Sequence, residues 1–287
     1  MTTSSEVEKA PEPKESKRAE GEKSADKPED KKTDAKKADD AKAKAPEQDA
    51  SMQETLKRMR AAQRKAAPNY EKRIDWLDRL QKMTLSHKHD IAKAISEDFG
   101  NRSKHETLLA EIFIIDGAIK HARDHLREWM EIEPRDVGMV FMPARVELIS
   151  QPLGVVGIIS PWNYPVQLAL APLAAVLAAG NRAMIKPSEL VPATSELLKK
   201  IVKEFFNDDE VAVFPGGVEV GAEFGKLPFD HLVFTGSTRV GKIVMRAAAE
   251  NLTPVTLELG GKSPTIIGDD FSITEAANVI MNGKLLN

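Results

Sequence analysis

The stretch from Leu153 to Glu189, LGVVGIISPWNYPVQLALAPLAAVLAAGNRAMIKPSE, admits few folds. It opens with a short β-branched run with glycines, the composition of a buried strand. It then turns through Ser160-Pro161-Trp162-Asn163. Tyr164 to Ala179 is apolar almost all round, which predicts a buried helix. Pro165 suits its first turn, and Gly180-Asn181 is a stop signal. Pro172 predicts a kink or a late start. A second strand, Arg182 to Ile185, runs into Lys186-Pro187-Ser188-Glu189. Strand, helix and strand with polar residues after each strand make the βαβ unit of a doubly wound sheet, where ligands sit at the strands' carboxyl ends.

A length of 287 residues suggests about two domains. The hydrophobic content of 41% suffices for a core, and a net charge of -3 gives no reason to expect nucleic acid. No apolar run of about 18 residues is uninterrupted, so no membrane segment is expected; residues 164–179 come nearest and read as a core helix. The cysteine count is zero, which fits a reducing compartment and a cytoplasmic location. Met1 to Ala50 is low in complexity, without an aromatic residue, and cannot bury enough apolar surface to offset chain entropy, so disorder is expected. It lacks a secretory h-region, and its acidic residues argue against a transit peptide. A solubilising or partner-binding tail and a dispensable extension both remain open.

Ser51 to Ile132 reads as helical. Ser51-Met52-Gln53-Glu54 has the S-x-x-E form of a capping box. Apolar residues recur at helical spacing through Ile74, Leu77, Leu80 and Met83, then Ile91, Ala94 and Ile95. Phe99-Gly100-Asn101 ends that run, and Thr107 to Met130 makes another long helix. His121 and His125, with His87 and His89, invite a metal site, but without Cys or an H-E-x-x-H pattern a solvated face is expected and no metal. Pro134 to Gln151 reads as an antiparallel hairpin, with Val140-Phe141-Met142 in one arm, Pro143-Ala144 at the turn and Arg145 to Ile149 in the other. Its exposed edges suit an oligomer contact or a linker.

The βα alternation then continues. A helix is expected over Thr194 to Phe206, a strand over Val211 to Phe214, a short helix over Glu219 to Gly225 and a strand over His231 to Thr235. Another helix runs to Glu250, with strands at Pro254 to Leu259 and Pro264 to Ile267 and a helix from Ile273 to Leu286. Repeated βα steps argue for a mostly parallel sheet with right-handed crossovers. The expected fold is therefore α/β, a doubly wound Rossmann-like sheet preceded by a helical segment and a β-hairpin. Its divisions are a disordered tail to residue 50, a helical segment over 51–133, the hairpin over 134–152, a dinucleotide-binding domain over 153–262, and the start of a further domain over 263–287.

Three candidate sites follow. Gly236 to Lys242, GSTRVGK, nearly matches the phosphate-binding P-loop, but Ile243 stands where a hydroxyl would hold Mg²⁺. A nucleotide hydrolase is thus a rival; a glycine turn opening a helix also suits a pyrophosphate, or no ligand at all. Lys186 and Glu189 could grip the two hydroxyls of a ribose, or form a local ion pair. Asn163, in a rigid turn, could donate to an oxyanion. Glu258, beside Leu259-Gly260-Gly261, could be a buried general base. Taken singly, each is more often structural.

Together, PWNYP at 161–165, KPSE at 186–189, FTGST at 234–238 with Gly241, and LELGGKSP at 257–264 resemble the NAD(P)-dependent aldehyde dehydrogenase family. DFGNRSKHET at 98–107, QPLGVVGIISPWNYP and PFDHLVFTGSTRVG most resemble its class 3 and coniferyl aldehyde dehydrogenase branch. The resemblance covers about residue 52 to the end. It implies oxidation of an aldehyde, an aromatic coniferyl-like one among the candidates, to its acid with NAD or NADP, NAD first, and a homodimer. Asn163 matches the amide that holds the thiohemiacetal oxyanion, and Glu258 the base that activates water. The implied cofactor contacts are Ile159, Ser160, Pro161 and Trp162 beside the nicotinamide half and Lys186, Ser188 and Glu189 at the adenosine ribose. Gly236, Ser237, Thr238, Arg239, Val240 and Gly241 lie at the pyrophosphate turn, and Leu259 and Gly260 follow the base. In relatives a nucleophilic cysteine follows the GKLLN segment by a few residues. This chain stops at Asn287 and contains no Cys, so it reads as truncated before the nucleophile and inactive alone. A non-catalytic dinucleotide-binding or subunit-interaction fragment is the alternative.

Overall fold

The computed structural model describes residues 47–286, which belong to one compact unit. The expected tail lies outside the described residues as far as residue 46. Helix α1 spans Glu47–Lys65, so the last four residues assigned to the tail are helical. Ser51 is therefore not an N-cap: the good helix formers Glu47, Gln48 and Ala50 carry the helix past it. Helices α2 (Tyr70–Ser86) and α3 (Lys88–Asp98) follow. The second long helix is α4 (Lys104–Thr107), a π-helical turn at Leu108–Ile112, and α5 (Phe113–Trp129).

The hairpin is present as an antiparallel pair, but not with the expected strands. Strand β1 is Glu133–Arg135 and β2 is Val146–Leu148, with Glu133 opposite Leu148. Met139–Phe141 forms a 3-10 turn in the loop between them. A tight turn at Pro143-Ala144 would need glycine- or asparagine-like backbone angles that this pair does not supply, so the reversal is wide. Met139, Val140, Phe141 and Met142 are all exposed at its tip.

The main sheet consists of β3 (Val155–Ile159), β4 (Arg182–Lys186), β5 (Val211–Val213), β6 (His231–Gly236) and β7 (Val255–Leu259), in the order β5-β4-β3-β6-β7. Every pairing is parallel. The crossovers carry α6 (Gln167–Ala178), α7 (Pro192–Phe205), α8 (Val218–Gly225) and α9 (Thr238–Ala249), and α10 (Ile273–Leu286) closes the described chain. Helix α6 starts three residues later than Tyr164, with Pro165 ahead of it and Pro172 in its second turn. Gly180, in the left-handed region at φ 78°, ends it as expected. The strand expected over 264–267 does not form. Ile266 is 90% exposed there, and that segment pairs with no strand among the described residues.

Alternation along β3 and β4 sorts the core onto two faces. Val156, Ile158, Ala183 and Ile185 pack with residues of α2, α3, α5, α6 and α7, Trp76, Leu80, Ile119 and Leu173 among them. Val155 and Met184 pack on the other face with Met52, Leu56 and Met59 of α1 and with Phe224, Leu232, Phe234 and Val244. Each Val, Leu, Ile, Met or Phe among them contributes roughly 1.5–3 kcal/mol when fully buried. The helical segment thus forms one core with the sheet. Glu210, just before β5, fastens the two together: it accepts hydrogen bonds from Trp76 Nε1 (2.8 Å) and Arg79 Nη1 (2.8 Å) and lies 2.9 Å from Lys72 Nζ.

Candidate functional site at the carboxyl edge of the sheet

From β3 the chain winds outward through β4 to β5, then returns to the other side of β3 for β6 and β7. The order reverses between β3 and β6, which makes the carboxyl ends of these strands the crevice where such sheets take ligands. Pairing aligns Lys186, Ile159, Phe234 and Leu257 in one row across four strands. One residue further on, Thr235 faces Glu258, and then Gly236 faces Leu259. Ser160, Lys186, Gly236 and Glu258 therefore all come to one edge of the sheet.

Lys186 ends β4 and is buried. Its ammonium donates to the carbonyl of Pro187 and lies 3.9 Å from Glu189 Oε2, whose side chain is 41% exposed. Burial lowers the Lys186 pKa, and Glu189 works against that shift. Ser160 is held by its own N–H donating to Lys186 O (3.1 Å). Its buried Oγ has no hydrogen-bond partner, a costly state unless a ligand supplies one. Trp162 is half exposed, with its ring centroid 6.0 Å from that of Phe99.

Across the crevice Gly236 ends β6, and Ser237 caps α9 by accepting from Val240 N (3.3 Å). Thr238 and Arg239 begin the first turn and are exposed. A side chain at Gly241 would meet Leu259 Cδ2 at 2.8 Å and Phe234 at 3.4 Å, so glycine is what lets α9 lie close against β6 and β7. A glycine at the strand end, a capped helix start and close helix–strand packing are features that suit a pyrophosphate. They do not form a P-loop. Only Ser237 separates β6 from α9, so Lys242 falls in the second turn, exposed, and the loop is too short to wrap a phosphate chain.

Asn163 and Glu258 share this edge but not a contact. Asn163 is partly buried four residues beyond β3, and its carbonyl accepts from Arg102 Nη1 (2.7 Å). Glu258 stands on β7, two strand spacings from β3, or about 10 Å. Its side chain is exposed, and so are Leu259 and Gly260. The expectation of a buried base fails here because β7 is the outer strand and its end is uncovered. A cavity of about 450 Å³ between α1 and α8, lined by Leu56, Arg60, Glu223 and Leu227 among others, contains none of the expected site residues.

Motif spacing overlooked two buried groups. Arg102 precedes α4 and Glu111 lies in the π-helical turn; they meet with Nη1 and Oε1 3.4 Å apart. Glu111 Oε2 accepts from Val166 N (2.8 Å) and Gln167 N (3.0 Å) at the start of α6. Burial pushes its carboxyl pKa up, against those two N–H groups and the nearby Arg102. In sequence both resemble ordinary surface charges; the DFGNRSKHET segment includes Arg102 but stops short of Glu111, for which there was no signal. His121 and His125 instead stack on α5, ring centroids 4.2 Å apart, with Trp129 against both. Among the described residues no group of three metal-ligating side chains converges, and no helix is long and apolar enough to cross a membrane.

This architecture is shared with known proteins. A probable coniferyl aldehyde dehydrogenase of Caulobacter vibrioides is 54% identical over 244 residues, 83% of this chain and 50% of that protein. The coniferyl aldehyde dehydrogenase of a Pseudomonas species is 49% identical over 233 residues, covering 81% and 48%. A substrate-bound Staphylococcus aureus AldH structure superposes with a TM-score of 0.77 at 38% identity, covering 81% of this chain and 51% of that one. An NAD+ complex of a Bacillus cereus aldehyde dehydrogenase gives 0.71 at 28%, covering 80% and 47%. The chain spans about half the length of the curated relatives it matches. The profile of the aldehyde dehydrogenase family matches residues 22–287, a span that begins earlier than the expected residue 52. By this match and by the shared fold, the chain belongs to the aldehyde dehydrogenase family.

Proposed function

We propose that residues 153–261 are the cofactor-binding half of an NAD(P)-dependent aldehyde dehydrogenase that oxidises an aromatic, coniferyl-aldehyde-like substrate to its acid. The observation that carries this is the sheet edge at the strand-order reversal, where a buried ammonium and an unpartnered buried hydroxyl lie across from a capped, glycine-fronted helix. A dinucleotide fits these residues. Lys186 would hold the ribose hydroxyls from below, and Glu189 would accept from them while repelling a 2′-phosphate, which favours NAD. The exposed start of α9 would take the pyrophosphate, and Ser160 would find its missing partner. When bound, the nicotinamide supplies the hydride acceptor.

The chemistry asks two things of this chain. Asn163 would donate its amide to an oxygen developing negative charge, and Glu258 would take a proton from attacking water. The thiolate that opens such chemistry is not among these 287 residues. Tyr164 Oη donates to Leu286 O (3.2 Å), which brings the end of α10 to the residue after Asn163 and supports a site there. The exposed hairpin tip suits a homodimer contact, and a chain without cysteine suits the cytoplasm.

Calorimetry with NAD tests the site: the chain binds NAD, Lys186→Met weakens binding at least tenfold, and purified chain makes no NADH from an aromatic aldehyde. No detectable NAD binding by a folded chain refutes the cofactor site. A second reading, a non-catalytic dinucleotide-binding or subunit-interaction module, draws on the exposed Glu258. It shares the NAD binding and differs if an added thiol-bearing segment restores no turnover.

A further inference from the structure

The groups that hold the Pro161–Tyr164 turn come from the helical segment, not from the sheet. Arg102, its side chain only 6% exposed, donates Nη1 to Asn163 O at 2.7 Å. Its guanidinium lies over the ring of Tyr164, 4.6 Å from the centroid, and over Phe99 at 5.0 Å. Behind it stand two carboxylates, Glu106 Oε1 at 3.0 Å from Nη2 and Glu111 Oε1 at 3.4 Å from Nη1. Glu111 in turn receives the N–H groups of Val166 and Gln167, just past the same turn. Its place in the π-helical turn matters, since such turns re-aim side chains and gather at functional sites. The turn is thus gripped at a carbonyl on one side and at two amides on the other, by an ion pair inserted from a different part of the chain.

We propose that Arg102 and Glu111 are positioning residues: together they set the backbone of the turn from Ser160 to Gln167, and so aim the Asn163 amide and the wall beside the nicotinamide. This rests on the site assigned above, but the grip on the turn can be read without it. The charge-assisted hydrogen bond to Asn163 O opposes opening of the turn, and losing it leaves the carbonyl and the carboxylate of Glu111 without their buried partner. Lysine in place of Arg102 keeps a donor but not the planar stack on Tyr164, so it holds the turn only in part.

The test uses the full chain. Hydrogen–deuterium exchange is followed over residues 160–168 and, as a control, over 238–259, alongside the ¹⁵N relaxation of the Asn163 backbone amide in chain labelled with ¹⁵N only at asparagine, identified by its loss in Asn163→Ala. Arg102→Met is expected to speed exchange in 160–168 roughly 10- to 100-fold, the range for a lost hydrogen bond to a charged group. It is expected to raise Asn163 mobility and leave 238–259 unchanged; Arg102→Lys falls between it and the wild type. A folded Arg102→Met chain with unchanged exchange at 160–168, or with equal acceleration in both regions, overturns the proposal. Should Arg102→Met fail to fold, Arg102→Lys and Glu111→Gln carry the same comparison. Calorimetry with NAD runs in parallel. If the wild type binds no NAD while the variants loosen only the turn, the cofactor site is wrong and the positioning role stands.

Discussion

Replacing Glu210 by glutamine should uncouple the helical segment from the sheet in a pH-dependent way. Burial alone would raise the Glu210 pKa, but hydrogen bonds from Arg79, Trp76, Lys72 and Asn207 N outweigh it and hold the carboxyl at about 2 against an ordinary 4.5. A folded pKa below the unfolded one stabilises the protein above the unfolded value, and that stabilisation is lost as pH falls through the folded one. A shift of roughly 2.5 units corresponds to about 3 kcal/mol at neutral pH, of which about 1.5 kcal/mol remains at pH 3. Glu210→Gln removes the charge and keeps the shape. Urea unfolding followed by tryptophan fluorescence at pH 7 and at pH 3 should give a wild-type advantage that narrows by roughly 2 kcal/mol between them. Taking the difference at each pH cancels the other carboxylates. An advantage of the same size at both pH values would show that the ion cluster is not what holds α2 to β5, and would refute the reasoning.

Other outcomes follow from the site. Gly241→Ala puts a methyl group 2.8 Å from Leu259 Cδ2, so α9 must shift outward; calorimetry should show NAD binding weakened severalfold, with the thermal midpoint lowered by only a few degrees. If Glu189 faces the adenosine ribose as proposed, Glu189→Gln removes a charge that repels a 2′-phosphate, and the ratio of NADP to NAD affinity should rise at least fivefold in the same assay. Incubation with ATP and Mg²⁺ should release no phosphate, because Lys242 is in the second turn of α9.

Much of the sheet was legible in the chain because parallel strands buried on both faces are nearly continuous apolar runs, as in VVGII and RAMIK. The helix α7 was legible for the complementary reason, one apolar stripe, and α6 because it is apolar almost all round. Where burial gives out, so does the signal. Pro264 to Ile267 has strand composition but no neighbouring strand to pair with, and Val140-Phe141 is apolar but ends in a loop. That Lys186 and Gly236 stand at the ends of strands was legible from the apolar runs ahead of them. The exposure of Glu258 was not, since it depends on what covers an outer strand. Arg102 and Glu111 escaped because their partners are backbone groups some 55 to 61 positions away, and a carbonyl leaves no mark in a sequence.

The common core of helices and sheet has a practical consequence for anyone dissecting this protein. Cutting near residue 150 to isolate the parallel sheet would strip one side of β3 and β4 of Trp76, Leu80 and Ile119, and would leave Glu210 without the arginine, lysine and indole that neutralise it. What looks like an appendage ahead of a portable module is half of that module's wall.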